Sequence, residues 1–214
     1  PLKHGKPFSA CAAIGVPSLN EICQGRLTLT SGSPVTISDV TAAETVYYTP
    51  YKGNCIALYD GSNWNVRTFS ELSIDVPDAT NCYDVFIYDD AGAPTLELTA
   101  WTNPTTRATA LTTQDGVLVK TGALTRRYVG TFYCTTAGNG QTEDSSANRH
   151  LFNYYNRAVR WLYKTDNSAG WSYTTASWRA MNNNTANSVS IVNGVQDQQV
   201  IIRNRGLVAL AAQT

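Results

Sequence analysis

Short stretches of alternating polar and apolar residues, separated by turn-forming residues, recur along the chain and restrict it to an all-β fold. Residues 71–76 alternate with a period of two, which is the pattern of a half-buried strand. Residues 54–59 and 63–69 flank Asp60-Gly61, a strong hairpin signal. Series of short strands with frequent turns are typical of antiparallel sandwiches and barrels. The pattern shows no alternation of strands with helices, which argues against a nucleotide-binding α/β fold.

The predicted strands are short runs of alternating or strand-forming residues, separated by turns and polar segments. They are residues 26–30, 45–49, 54–59, 63–69, 71–76, 82–88, 95–101, 116–120, 126–135, 158–164, 171–175, 177–181, 188–192 and 199–203. We predict one jelly-roll-like antiparallel β-sandwich over residues 26–214, with long loops at 102–116 and 137–148. A sub-boundary is expected near 102–116 or 164–170. The apolar residues of 148–163 also fit helical spacing, and we favour the strand at 158–164 over that helix.

Residues 1–25 show little alternation and differ from the rest of the chain. We predict an extended N-terminal arm here, with a short helical turn within residues 17–22. Four apolar side chains in this arm would be poorly placed in water and are the expected contacts with another subunit: Phe8, Ile14, Leu19 and Ile22. The alternative is an ordinary flexible terminus.

The charge balance argues against a nucleic-acid partner. Lys and Arg number 16, Asp and Glu also number 16, and the formal net charge is zero. Proteins that bind nucleic acid usually carry a basic excess. No apolar run approaches the length of a membrane span, so membrane insertion is not expected.

The residues that usually carry catalysis or bind metals are scarce. His4 and His150 are the two histidines, and no two of the five cysteines have C-x-x-C spacing. A zinc site would need close pairs of such ligands, so we predict reduced cysteines, no metal and no cofactor. The nucleophile motif G-x-S-x-G is absent, and a Ser–His pair could use only His150. Most carboxylates lie at turns or point outward, so we expect no enzyme.

Several aromatic residues could form a binding surface for a sugar or a protein partner. They are Tyr47, Tyr48, Tyr51, Trp64, Trp171 and Trp178. Large exposed aromatic faces mark such sites. Packing in the core and across strands is the alternative for the same residues.

Several motifs resemble a module of structural proteins from tailed bacteriophages. The resemblance covers roughly residues 25–192 and includes Tyr47-Tyr-Thr-Pro-Tyr-Lys-Gly-Asn54. Its most specific part is Thr125-Arg-Arg-Tyr-Val-Gly-Thr131, followed by Gln141-Thr-Glu-Asp144 and Asn153-Tyr-Tyr-Asn-Arg157. The cysteines and residues 1–25 are not part of the pattern.

This resemblance implies a β-sandwich protein of the virion, made in the host cytoplasm and displayed in a tail fibre or a comparable appendage. Such proteins are often oligomers, and trimers are usual for fibres. The expected partners are therefore copies of the chain, other virion proteins and a host surface glycan or protein. A capsid decoration or baseplate protein is the first alternative, and a carbohydrate-binding or glycan-active module is the second.

Overall fold

The computed structural model describes residues 18–136, 138–168, 172, 177 and 179–196, and this part of the chain is all-β. Two 3₁₀ turns, Leu19–Glu21 and Met181–Asn183, are its only helical elements. The strands are β1 Gly25–Thr28, β2 Val40–Ala43, β3 Thr45–Pro50, β4 Cys55–Tyr59, β5 Trp64–Thr68, β6 Leu72–Asp75, β7 Cys82–Asp90, β8 Ala93–Ala100, β9 Leu111–Gln114, β10 Val117–Lys120, β11 Ala123–Tyr133, β12 Thr142–Asp144, β13 Asn148–Arg149, β14 Leu151–Asn153 and β15 Ser190–Ile191. The all-β prediction is confirmed.

The strands form a central sheet and three smaller groups. The central sheet has the order β8-β7-β11-β10-β9, and β14 also pairs with β11. Beside it are the sheet β1-β3-β6, the hairpin β4-β5 and the sheet β15-β13-β12-β2. All pairings are antiparallel except the parallel one between β13 and β15. The chain contributes strands to the central sheet both before and after residues 102–116.

Strand β7 is covered on both faces, which explains its nearly continuous apolar sequence. Val85 and Ile87 belong to the main core, together with side chains of β1, β3 and β4. Phe86 points to the opposite face, where it packs with Tyr128 and Phe152 in a second cluster. A strand that is buried on both sides has no need of polar positions. Strand β7 therefore lies in the interior of the molecule.

The N-terminal described residues are fixed to this core by a buried arginine. Arg127 of β11 is only 1% exposed. Its Nη1 donates hydrogen bonds to the backbone carbonyls of Asn20 (2.8 Å), Ile22 (3.1 Å) and Ala57 (2.8 Å). The guanidinium also lies 4.7 Å from the centre of the Tyr155 ring, a cation–π contact. One side chain thus joins the first 3₁₀ turn, β4 and β11.

This anchoring changes the extent of the predicted arm. Residues 22–25 pack against the core, and the predicted helical turn before them is observed at Leu19–Glu21. Gln24 donates its backbone N–H to the carbonyl of Cys55 at 3.0 Å, and Cys23 forms an isolated bridge with Ile56. Residues 1–17 of the predicted arm lie outside the described residues.

A buried ion pair connects the central sheet to two neighbouring segments. Asp84 of β7 is 1% exposed and accepts two hydrogen bonds from Arg107, at 2.5 Å and 3.0 Å. The hydroxyl of Thr131 donates to the same carboxylate at 2.8 Å. Arg107 also donates to the carbonyl of Gly194 at 2.7 Å. The network therefore holds the 102–110 loop and the segment after β15 against β7.

Several boundaries differ from the sequence prediction. The predicted loop 102–116 contains β9, and the predicted loop 137–148 contains β12 and the start of β13. Neither a helix over 148–163 nor the ladder of a strand at 158–164 is present, and β14 occupies Leu151–Asn153 instead. The unpredicted strands β9, β12, β13 and β14 have two to four residues each, which is too short for an alternation of polar and apolar residues to be recognised. The predicted strands at 171–175 and 199–203 lie wholly or almost wholly outside the described residues. The one at 177–181 does so in part, and its last residue begins the second 3₁₀ turn.

Gly130 marks a place where the core admits no side chain. A β-carbon there would lie 2.2 Å from the carbonyl oxygen of Phe152 and 2.6 Å from the Leu27 side chain. We expect Gly130→Ala to lower the free energy of unfolding by about 1–3 kcal/mol, because the backbone of β14 would have to move. Urea denaturation measures the change. Thr68→Ala, on an exposed position of β5, is the control and should change stability by less than about 0.5 kcal/mol.

Candidate functional site

The most unusual surface is an extended segment that follows β14. Over residues 157–163 exposed and half-buried positions alternate without interruption. Val159 is 98% exposed, Trp161 is 76% exposed and Tyr163 is 57% exposed. We call these three side chains the outer strip. Ala158, Arg160 and Leu162 between them face the body and are half-buried.

The backbone of this segment has no strand partner within the described part of the chain. From Ala158 to Leu162 no backbone group forms a hydrogen bond with another backbone group there. The N–H of Tyr163 ends this stretch by donating to the carbonyl of Ser146 at 2.8 Å. The segment thus has the alternation of a strand, as the sequence predicts for 158–164, but lacks a ladder.

A buried carboxylate fixes the outer strip to the sheet beneath it. Asp144 of β12 is buried and accepts hydrogen bonds from Arg149 at 2.9 Å and Arg160 at 3.0 Å. Arg149 also donates to the carbonyl of Trp161, at 2.8 Å and 3.1 Å. Both arginines therefore hold the strip in one position.

A further apolar side chain lies close to the strip. Ile37 is fully exposed. Its neighbour Thr36 accepts a hydrogen bond from Arg160 at 3.4 Å, which places the 36–37 loop beside the segment. The exposed apolar surface therefore extends beyond the strip itself.

The four described residues of the predicted aromatic surface do not form one exposed face. Tyr48 lies in the core, where its hydroxyl is 3.2 Å from the Cys23 sulfur, so it is unavailable to a ligand. Trp64 is half-buried, and its Nε1 donates to Asp115 at 2.9 Å. Tyr47 is half-buried and Tyr51 is exposed. Among the described residues no ring contact joins these four. Trp171 and Trp178 lie outside the described residues.

Of the four apolar residues predicted to contact another subunit from the arm, two lie within the described residues. Leu19 is exposed and Ile22 is half-buried against the core. Phe8 and Ile14 lie outside the described residues. The exposed residues Val159, Trp161 and Tyr163 were missed as candidates, although the predicted strand at 158–164 contains them.

A cavity of about 250 Å³ lies beside the sheet that supports the outer strip. Side chains from β7, β11, β15 and neighbouring segments line it: Cys82, Trp101, Pro104, Tyr133, His150, Ser190, Ile191, Val192 and Asn193. His150 is buried, and its ring packs edge-on against Tyr133 at 5.2 Å. Ser190 lies at the exposed side. The cavity is therefore reachable from the surface.

Two polar neighbours surround the His150 ring. Its Nε2 lies 3.0 Å from the hydroxyl of Ser190, and its Nδ1 lies 3.7 Å from a carboxylate oxygen of Glu143. Burial lowers the pKa of His150, while the charges of Glu143 and Asp144 act in the opposite direction. The imidazole is therefore neutral at neutral pH.

Cys82, across the cavity, is not a reactive thiol. Burial, together with the charge of Asp84, raises its pKa to about 11. The thiolate is the nucleophilic form of cysteine, and it is scarce at pH 7 with such a pKa. Cys82, Cys23, Cys55 and Cys134 are all free.

The described residues contain neither a metal site nor a membrane-spanning helix. No group of three or more His, Cys, Asp or Glu side chains among them could hold a metal ion. No helix in the same residues is long and apolar enough to cross a membrane.

Comparison with known proteins does not assign the chain to a family. No protein-family model, no curated protein and no solved structure matches the chain at a significant level.

Proposed function

We propose that the chain is a structural subunit of a tailed-phage particle, in a tail fibre or a comparable surface appendage, and that it assembles with other copies of itself. One observation carries the proposal: the outer strip presents three large apolar side chains from a fixed segment whose backbone has no strand partner within the described residues. The phage location rests on the sequence motifs described above.

An exposed strip of this kind favours association. Each Å² of apolar surface removed from water contributes about 25 cal/mol, and monomeric proteins rarely leave large patches uncovered. Backbone groups without partners in an extended segment are also a template for pairing with another chain. The outer strip offers both contributions in the same place.

Another copy of the chain is the occupant that fits best. The formal net charge of zero means that copies do not repel one another through their overall charge. The bonds from Arg149 and Arg160 hold the segment before any partner arrives, which lowers the entropy cost of binding. The motifs imply a trimer, so we propose a homotrimer closed by the outer strip.

For the architecture we propose a jelly-roll-like sandwich in which the sheet β1-β3-β6 covers the central sheet. Its support is the main core, a single cluster that includes Leu27 and Val46 of that sheet and Val85 and Ile87 of β7. An experimental structure would test whether the connections follow jelly-roll order.

Substitutions in the outer strip test the assembly proposal. Native mass spectrometry of the intact protein should give the mass of a trimer. Val159→Ser combined with Trp161→Ser should yield monomers, because it removes most of the exposed apolar surface of the strip. The melting temperature of the variant monomer should match that of diluted, dissociated wild type, since neither side chain is buried within the chain.

A matched control uses equally apolar side chains elsewhere on the surface. Val66 and Leu124 are also exposed and lie on β5 and β11. Val66→Ser combined with Leu124→Ser should leave the trimer intact. A monomeric wild type at micromolar concentration, or a strip variant that remains trimeric, contradicts the proposal. Gold-labelled antibody on particles would separate a tail location from a capsid location.

A further inference from the structure

We propose that Ser190 is a nucleophile activated by His150 and Glu143, and that the adjoining cavity accepts the acyl group of a short-chain carboxylic ester. This activity goes beyond the structural role proposed above. It also departs from the sequence-based expectation that the chain carries no catalytic residues.

The three side chains stand in the order of a nucleophile, a base and an orienting acid. The Ser190 hydroxyl is 3.0 Å from Nε2 of His150, within the range for transfer of a proton. Glu143 lies on the other side of the ring, with 3.7 Å between its Oε1 and Nδ1. This second distance is longer than a hydrogen bond, and catalytic contacts are often loose before substrate binds.

The charge of Glu143 selects the useful tautomer of the imidazole. A carboxylate accepts hydrogen bonds but cannot donate them, so it favours the form of His150 that carries its proton on Nδ1. Nε2 then presents a lone pair to the hydroxyl of Ser190, which donates to it. Nδ1 is buried and has no hydrogen-bond partner at normal distance, so Glu143 is the group that can satisfy it.

Burial keeps the base in its neutral form, against the effect of the nearby carboxylates. Glu143 and Asp144 face His150 from β12, the Tyr133 ring faces it from β11, and Cys82 lies across the cavity. Burial nevertheless dominates and lowers the pKa of His150. Cys82 is protonated near pH 7, which leaves Ser190 as the nucleophile of the cavity.

The cavity suits a small acyl group. Its volume of about 250 Å³ is below the roughly 300–1,000 Å³ of sites for drug-sized ligands. Pro104, Tyr133 and Val192 give it apolar walls. The indole N–H of Trp101, which also lines the cavity, is buried without a hydrogen-bond partner. It is the available donor for a carbonyl oxygen that becomes negative during attack.

The reaction is ordinary acyl transfer to water. Ser190 Oγ forms a bond to the ester carbonyl carbon while its proton moves to Nε2 of His150. The bond to the alcohol oxygen breaks, and the alcohol leaves with that proton. Water then attacks the acyl-serine, a second proton passes through His150 back to Ser190, and the carboxylic acid is released.

A fluorophosphonate probe tests the nucleophile directly, because it forms a bond to an activated serine with loss of fluoride. Peptide mapping by mass spectrometry should find one adduct, on Ser190 of the full chain. Ser190→Ala should abolish it, and His150→Gln should slow labelling about 10²–10⁴-fold. Ser188→Ala, an exposed serine of the same segment, is the matched control and should label at the wild-type rate.

A pH series and a substrate give independent readouts. Labelling should slow as pH falls through the folded-state pKa of His150, which burial places below the ordinary histidine value, because only the neutral ring accepts the proton. Wild type should also hydrolyse p-nitrophenyl acetate, and Glu143→Gln should reduce this rate without loss of folding.

Three results would overturn the proposal: no adduct on folded wild type, an adduct only at other residues, or equal labelling after His150→Gln. Labelling at Ser190 without ester hydrolysis overturns the acyl site. If His150→Gln does not fold, the Glu143→Gln rate and the pH series decide. The oligomer mass is independent of all these outcomes, so failure here leaves the assembly proposal untouched.

Discussion

Arg107→Ala should lower the free energy of unfolding by about 3–5 kcal/mol, because it leaves the carboxylate of Asp84 buried without a counter-charge. Asp84 is 1% exposed, so in the folded protein its carboxylate depends on protein groups for its hydrogen bonds. The Thr131 hydroxyl would be its remaining donor. Urea denaturation followed by tryptophan fluorescence measures the loss.

A double-mutant cycle separates the ion pair from the lost packing of the arginine side chain. Asp84→Ala alone should also be strongly destabilising, since it leaves Arg107 without its carboxylate. The double variant removes both charges and should cost less than the sum of the single variants, by about 0.5–3 kcal/mol. Strict additivity would show that the two side chains act independently.

Arg127→Ala should lower the free energy of unfolding by about 3 kcal/mol or more. The substitution removes the donor shared by three backbone carbonyls, those of Asn20, Ile22 and Ala57. The Ile22 carbonyl keeps the N–H of Ala57 as a donor, at 2.8 Å, and each buried acceptor that is left without a partner costs about 1–3 kcal/mol. Urea denaturation gives the size of the effect. Limited proteolysis should then show faster cleavage near Leu19–Glu21.

The adjacent residue is the natural control. Arg126 is about one-third exposed and pairs with Glu97 at 3.1 Å near the surface. Such exposed pairs contribute about 0–1 kcal/mol, so Arg126→Ala should have a small effect. Equal losses for the two neighbours would contradict the role given to Arg127.

Features of the fold that depend on neighbouring residues could be predicted from the sequence. The hairpin β4-β5 follows from Asp60-Gly61, and Asp60 accepts hydrogen bonds from the N–H groups of Ser62 and Asn63 at 2.8 Å and 2.7 Å. The hairpin β7-β8 follows from the turn before Gly92. In both cases the turn residues and the strand-forming residues on either side point to the same structure.

Features that depend on distant partners could not be predicted. Whether 158–164 joins a ladder depends on an available neighbour, and alternation alone does not supply one. Strand β9 is found where the sequence is polar, because pairing with β10 compensates for a weak intrinsic preference.

The candidate catalytic cluster was only partly visible. His150 was singled out because few histidines exist, and Glu143 was one of several carboxylates. Ser190 was indistinguishable from other serines, since it meets His150 through the parallel pairing of β13 and β15. That pairing joins residues about 40 positions apart, and no motif records it.

The connection between β14 and β15 has an evolutionary consequence. β14 ends at Asn153 and β15 begins at Ser190, so the connection that carries the outer strip starts and ends at strands of the fold. The entropy cost of closing a loop grows only slowly with its length. Related chains could therefore carry a longer, shorter or different connection here. They could acquire new assembly partners in this way while keeping the strands that support the connection.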